Sequence, residues 1–259
     1  MGWLLLCKGV GRVARFFLTD QNVIGEKVRI TGEDAHHITR VLRLQAGDHV
    51  EVAFGSGEIG IVELTSVKSD GVEGDVVQRF RSYQEPPIRL RLYQGLAKGD
   101  KMDFVIQKAV ELGVKEIVPF TSQYTVVKLE ASAAEKRLRR WQRIADEAAK
   151  QCLRAELPVV RPLISFEQVL ADLKEGPKDE LVLLPYEHEE KQGIKSVPTG
   201  EWGAVSIIIG PEGGFHPAEV EAARENGAKV VSLGPRILRT ETAGLVALSL
   251  VGYRWGDLG

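Results

Sequence analysis

Between Arg15 and Phe80 the apolar residues fall in short runs, RFFL, KVRI, HVEVAF, GIVELTSV and VEGDVVQRF, separated by turn residues. That spacing predicts a small β-rich module with a hairpin turn at Asp70 and Gly71. One helix interrupts it over residues 34–44, with Ile38, Val41 and Leu42 on one face at helical spacing and Asp34 placed to cap it. The polar stretch SYQEPP at residues 82–87 ends in two prolines and predicts an extended linker.

Beyond the linker the pattern changes to strands alternating with helices. A strand IRLRLYQGL is followed by a helix over residues 101–112, a strand VKEIVPF, a long helix over residues 133–153 and a strand LVLLP at residues 181–185. Two further β-branched runs, residues 205–209 and 230–233, each break at Gly-Pro and lead into a helical pattern. Alternation of this kind predicts a mostly parallel sheet covered on both faces. The helix HPAEVEAARENG carries Pro217 at its first position and ends at Asn226 and Gly227.

The two Gly-Pro segments, IGPEGGF and LGPRILRTETAG, are the most informative part of the chain. Glycine lets bare backbone amides approach a ligand, and proline fixes the turn while donating nothing. Neither is a P-loop, because no lysine followed by Ser or Thr comes after the glycines. GSGEIG at residues 55–60 matches the dinucleotide fingerprint literally, but a strand pattern follows where the fingerprint needs a helix, so it reads as a hairpin loop.

Composition narrows the possible partners. The chain has 259 residues, enough for two domains, with 44% apolar and 27% charged residues and a net charge of −2. A global charge near zero means that any nucleic-acid contact must come from local patches. Cys7 and Cys152 are too few for a disulfide framework and lack zinc spacing, which fits a reducing cytoplasm and no metal site. The apolar run at residues 3–7 is too short for a secretory or membrane-spanning segment, and residues 1–14 read as an extension.

Local basic patches do exist. The long helix carries Lys136, Arg137, Arg139, Arg140, Arg143 and Lys150, with Arg154 beyond, while Trp141, Ile144 and Ala148 form its buried stripe. That basic face is either solvated or in contact with RNA. Arg40 and Arg43, beside His36 and His37, offer guanidinium forks that match phosphate geometry. Lys98, Lys101 and Lys108 follow the first strand of the second domain, at the edge where open α/β sheets place ligands. His216 reads as a helix cap or surface residue.

RFF near the start, HHITRVLRL, KGDKMDFVIQKAVELGV, RWQRIADEAAKQCLR and above all IGPEGGF and LGPRILRTETA, in this order, resemble one family from Arg15 onward. It is that of the bacterial 16S ribosomal RNA uridine N3-methyltransferases, of the SPOUT class. The resemblance implies an α/β fold in which a PUA-like β-barrel over residues 15–82 precedes a mostly parallel SPOUT domain over residues 88–257. It also implies a trefoil knot over roughly residues 205–252, despite the general rarity of threaded chains. S-adenosylmethionine as methyl donor, a homodimer, and 16S rRNA or the assembled small subunit as substrate follow in the same way.

Carried over by position, the donor pocket consists of Leu184 and Pro185, with Glu187 nearby, then Gly210, Pro211, Glu212, Gly213 and Gly214, and then Leu233, Gly234, Leu238, Arg239, Thr240 and Thr242. RNA contacts are assigned to Arg15, His37, Arg40, Arg43, Lys98, Lys101, Arg140, Gln151 and Arg154. Methylation at N3 needs help in removing the N3 proton and in stabilising charge on the flanking carbonyl oxygens. Arg239 and Arg154 are the candidates for the second task. Glu241 or Glu212 could accept the proton, or each could instead bind loop amides. Two other readings share the motifs: a SPOUT enzyme acting on another base or a ribose 2′-OH, and a non-catalytic RNA-binding assembly factor, which has no need of intact donor loops.

Overall fold

Six strands form the sheet of the N-terminal unit: β1 (Arg15–Phe17), β2 (Val23–Ile24), β3 (Lys27–Ile30), β4 (His49–Ala53), β5 (Glu58–Lys68) and β6 (Gly71–Arg81). The computed structural model describes residues 15–55, 57–68, 70–127 and 129–259, so the extension read at residues 1–14 lies outside them. The strand order is β1-β4-β5-β6-β3-β2, antiparallel throughout except for the parallel β1–β4 pair. Phe16, Ile30, Ile38, Val52, Val62 and Leu64 make its core. The loop containing Gly55 and Gly57 joins β4 to β5, so the dinucleotide-like match is a hairpin connection.

The helix in this unit differs from its sequence reading. It is a short α1 (Gly32–His36) continuing into a π-helical turn, His37–Leu42, which Arg43 ends in the left-handed region at φ 55° with its N–H donated to the Ile38 carbonyl. Thr31 holds the N-cap position, and the Asp34 carboxylate is instead paired with Lys150 Nζ at 2.7 Å. The wider π turn also rotates Val41 out of the core, leaving it 62% exposed.

The chain divides between Glu85 and Pro86, and Lys150–Leu157 joins the first unit. The second unit comprises β7 (Arg89–Gly95), α2 (Lys101–Glu111), β8 (Glu116–Thr121), most of α3 (Ala131–Gln151), β9 (Val159–Val160), β10 (Ile164–Ser165), α4 (Phe166–Lys174), β11 (Glu180–Pro185), β12 (Ala204–Ile209), α5 (Pro217–Glu225), β13 (Lys229–Val231) and α6 (Thr240–Trp255). All its strand pairs are parallel, in the order β10-β8-β7-β12-β11-β13 with β9 beside β8. The strands are buried along nearly their whole length, which explains their continuous apolar runs.

From β7 the chain first moves outward to β8 and later returns to place β12 on the other side of β7. The loops leaving β7 and β12 meet at the C-terminal edge of the sheet, where the Glu212 carboxylate accepts from Lys98 N–H at 2.9 Å, and this is the edge at which parallel sheets place their ligands. Phe215, just past the first Gly-Pro break of the sheet, anchors its loop by packing between Phe120 and Phe166, with centroids 6.2 and 5.7 Å away. Burying such a ring contributes about 1.5–3 kcal/mol. In α3 the buried stripe is Trp141, Ala145, Ala148 and Ala149, with Ile144 only half-buried.

Candidate functional site

Loops at the C-terminal ends of β7, β11, β12 and β13 surround two adjoining cavities of about 610 and 380 Å³. Both volumes lie in the range of small-molecule sites. Pro185, Glu187, Ile237, Leu238 and Ala243 line both. Tyr186, Gly193, Ser232, Leu233, Gly234 and Arg236 belong to the larger, whereas Lys101, Gly210, Pro211, Glu212, Gly214, Arg239 and Thr240 belong to the smaller.

Backbone geometry explains how the loops come so close. The ends of β7 and β12 approach until a Cβ on Gly95 would sit 2.3 Å from the Pro211 nitrogen and 2.6 Å from the Gly210 carbonyl carbon. Gly214 adopts φ +69°, a left-handed conformation that side chains rarely take, and closes a turn by donating its N–H to the Pro211 carbonyl at 2.9 Å. A Cβ there would meet Glu187 Oε1 at 2.5 Å. Helix α5 then starts with Pro217 after His216, whose Nδ1 accepts from Ala218 N–H while Glu219 accepts from His216 N–H. His216 is thus a capping residue in this structure.

Charges cluster on one side of the smaller cavity. Glu212 Oε1 accepts from Lys98 N–H at 2.9 Å and from Lys101 Nζ at 3.1 Å, and Lys101 Nζ also lies 3.4 Å from Glu241 Oε2. Burial works to raise the Glu212 carboxyl, but the hydrogen bonds from Lys98 and Lys101 outweigh it and hold the group below the ordinary carboxylate range. The Glu212 hydrogen bond, followed by Glu241, conversely raises Lys101, so its ammonium is firmly charged. A carboxylate made less basic in this way is a weaker proton acceptor, which favours a positioning role for Glu212. Arg239 is exposed at the N-cap of α6, and among the described residues its guanidinium has no ion-pair partner.

The structure separates the sequence-derived candidates. Pro185, Gly210, Pro211, Glu212, Gly214, Leu233, Gly234, Leu238, Arg239 and Thr240 come together around the cavities. Leu184 is fully buried in the core, and Thr242 lines neither cavity, its N–H being bound to the Arg239 carbonyl. Gly213 also lies outside both linings: a Cβ there would be 2.8 Å from Tyr124 Cβ, so the missing side chain makes room for the loop after β8 and not for a ligand.

Two arginines need correction. Arg154 is only 3% exposed and is held by Glu85 through Nε and NH2, so it has no face to offer to phosphate or to a developing oxyanion. Arg15, 4% exposed, binds Glu51 at 2.7 Å and the Leu153 carbonyl, which likewise withdraws it from RNA contact. His37, Arg40, Arg43, Lys98, Arg140 and Gln151 remain exposed, Arg140 in a pair with Asp103, while half-buried Lys101 belongs to the carboxylate cluster.

Sequence reasoning missed Tyr186, Ile237 and Ala243, which flank or interrupt motifs already singled out, and Gly193 and Ser232. The last two meet through an isolated parallel bridge between segments far apart in sequence, for which no local signal exists. Among the described residues no helix is long and apolar enough to cross a membrane, and no cluster of metal-ligating side chains occurs.

Comparison with known proteins gives concordant matches. A family model for an RNA methyltransferase domain matches residues 84–252, and one for an RNA methyltransferase PUA domain matches residues 30–77. The chain is 40% identical over 233 residues to ribosomal RNA small subunit methyltransferase E of Bacillus subtilis, covering 87% of this chain and 89% of the relative. Among solved structures, that of ribosomal RNA small subunit methyltransferase E from Neisseria gonorrhoeae bound to S-adenosyl methionine has 32% identity and a TM-score of 0.83, covering 95% of this chain and 100% of the other. A methyltransferase from Legionella pneumophila in complex with the bound cofactor SAM has 29% identity and a TM-score of 0.82, covering 96% of this chain and 100% of the other.

Proposed function

This chain belongs to the RNA methyltransferase family, and from that premise we propose that it transfers a methyl group from S-adenosylmethionine to N3 of a uridine in 16S rRNA, conventionally position 1498. The observation that carries the proposal is the pair of adjoining cavities framed by the loops after β11, β12 and β13, with Lys101, Glu212 and Arg239 lining the smaller one and Glu241 behind Lys101, 3.4 Å from its Nζ. The cavity volumes and the exposed backbone of the loops fit a nucleoside-sized donor, with Pro185, Gly210, Gly234 and Leu238 among the residues that would hold it. When bound, that donor supplies an electrophilic methyl group on a sulfonium sulfur.

The remaining chemistry falls to the chain's own side chains. Uridine N3 becomes nucleophilic only when its proton leaves and the resulting charge on the two carbonyl oxygens is stabilised. Arg239 supplies that stabilisation in this reading, since it lines the smaller cavity and, among the described residues, its guanidinium has no ion-pair partner. Glu241 is the proton acceptor in this reading, positioned by Lys101, while Glu212 fixes Lys101 and the Lys98 turn. The N3 edge is hidden in duplex RNA, so the enzyme acts on an unpaired or flipped nucleotide.

The substrate is the rRNA or the assembled small subunit in the cytoplasm. The PUA-like unit contributes Arg40, Arg43 and His37 to its binding, all exposed. We assign the threaded segment to β12 through α6, in keeping with the return of β12 between β7 and β11. Two such domains pair as a homodimer, for which exposed Leu250 and Tyr253 on α6 offer apolar surface. Mass spectrometry of 16S rRNA from a deletion strain tests the function: loss of N3-methyluridine, restored by the wild-type chain but not by Arg239→Ala, is the expected result. Retention of the modification in the deletion strain overturns it.

A further inference from the structure

At the end of β7, between β8 and β12, lies a polar side chain that the reaction above does not use. Gln94 is 0% exposed. Its Nε2 donates to the Gly95 carbonyl at 3.1 Å and to Thr240 Oγ1 at 2.9 Å, and the Thr240 hydroxyl donates in turn to the Gly210 carbonyl at 2.6 Å. Both carbonyls can only accept, so they settle which end of the amide faces Thr240 and where the hydroxyl proton points.

The three residues belong to three separate parts of the site. Gln94 is on the central strand, Gly210 opens the loop after β12, and Thr240 begins α6 at the end of the loop after β13. Gly210 and Thr240 both line the smaller cavity, whereas Gln94 lines neither. The relay runs beside the place where Gly95 lets the β12 loop press against β7, where a Cβ would lie 2.3 Å from the Pro211 nitrogen.

The second amide atom carries a cost. Gln94 Oε1 has no hydrogen-bond partner among the described residues and points at α6, where a Cβ on Gly244 would lie 3.2 Å away. An unpaired buried acceptor costs about 1–3 kcal/mol, and a leucine or methionine on β7 would avoid it. A glutamine therefore makes sense here for what its Nε2 holds.

We propose that Gln94 is a positioning residue of the donor site: through Thr240 it couples the Gly210 loop to the first turn of α6, so that the pocket is assembled before ligand arrives. Preassembly lowers the ordering cost that binding would otherwise carry. The assignment of this pocket to the methyl donor rests on the function proposed above, but the coupling of the two loops does not.

The test compares wild-type protein with Gln94→Met, Thr240→Val, the double variant and Thr240→Ser. Hydrogen exchange without ligand reads the coupling, and calorimetry with S-adenosylmethionine reads its use. Exchange should rise in the loops after β12 and β13 in Gln94→Met and Thr240→Val, with β7 and β8 protected as in wild type. Donor affinity should fall roughly tenfold in each, the double variant should be no weaker than Thr240→Val, and Thr240→Ser should resemble wild type. Unchanged loop exchange, or a uniform rise across the whole C-terminal unit, overturns the proposal. So does wild-type donor affinity in Gln94→Met. Wild-type protein that fails to bind S-adenosylmethionine would overturn the function above, and the exchange data would still decide the coupling.

Discussion

The guanidinium of Arg154 closes on the carboxylate of Glu85, with Nε 2.9 Å from Oε1 and NH2 2.7 Å from Oε2. Glu85 Oε1 also accepts from the backbone of Ala155 and Glu156, so one carboxylate ties Lys150–Leu157 into the N-terminal unit.

Removing one member of such a buried pair leaves the other charged and alone. Glu85→Ala should destabilise the N-terminal unit by about 3–5 kcal/mol, read as a lower urea midpoint. Arg154→Ala should do the same while leaving donor affinity of the folded protein unchanged, and a selective loss of methyl transfer would restore Arg154 to the catalytic set.

Arg239 should behave differently. If it meets charge that develops only during transfer, Arg239→Ala lowers kcat by roughly 10²–10³-fold with little change in donor Kd. Single-turnover rates beside calorimetry separate the two, and an equal loss in both would place Arg239 in binding.

Gly95→Ala should be among the most damaging small substitutions in the chain. Its Cβ would meet the Pro211 nitrogen and the Gly210 carbonyl carbon, backbone atoms that move only with their strand. We expect loss of donor binding even in folded protein, checked by calorimetry after circular dichroism. Gly214→Ala meets only the tip of the Glu187 side chain but must hold φ +69°, a strain of about 1–2 kcal/mol.

Glu212 brings a dependence on acid. Its carboxyl lies below the ordinary value of 4.5 in the folded protein, so its contribution is complete above that value and is lost as pH falls through the lower folded one. Donor affinity should therefore decline on the acid side, and Glu212→Gln should flatten that limb at the expense of affinity near neutrality. An acid limb unchanged in the variant would show that another group controls it.

Tyr93 acts at the opposite end of the scale. Burial pushes its phenol from 10.0 up to about 12, against the pull of Arg91. The raised value stabilises the fold fully below pH 10.0, and that contribution is lost as pH rises toward about 12, on the order of 2–3 kcal/mol in all. Tyr93→Phe should lower stability near neutrality through the lost Arg91 hydrogen bond yet lessen the alkaline decline, measured as melting temperature against pH.

The longer strands, most of the helices and the Gly-Pro loops could be read along the chain, whereas β2, β9, β10, α4 and the joining of Lys150–Leu157 to the first unit could not. The former depend on local matters: the spacing of apolar residues, proline and glycine at breaks, and polar residues at helix starts. Most of the cavity-lining loop residues were legible for the same reason, because the loops are contiguous motifs. Whether an arginine such as Arg154 is exposed or sealed against Glu85, whether Gly213 faces a ligand or Tyr124, and which atoms Gln94 holds were not. Those outcomes depend on residues tens to more than a hundred positions away, brought into contact only by the tertiary fold. Periodicity records which side of its own element a residue occupies; the partner on the other side, and therefore its charge state and its role, is decided by packing.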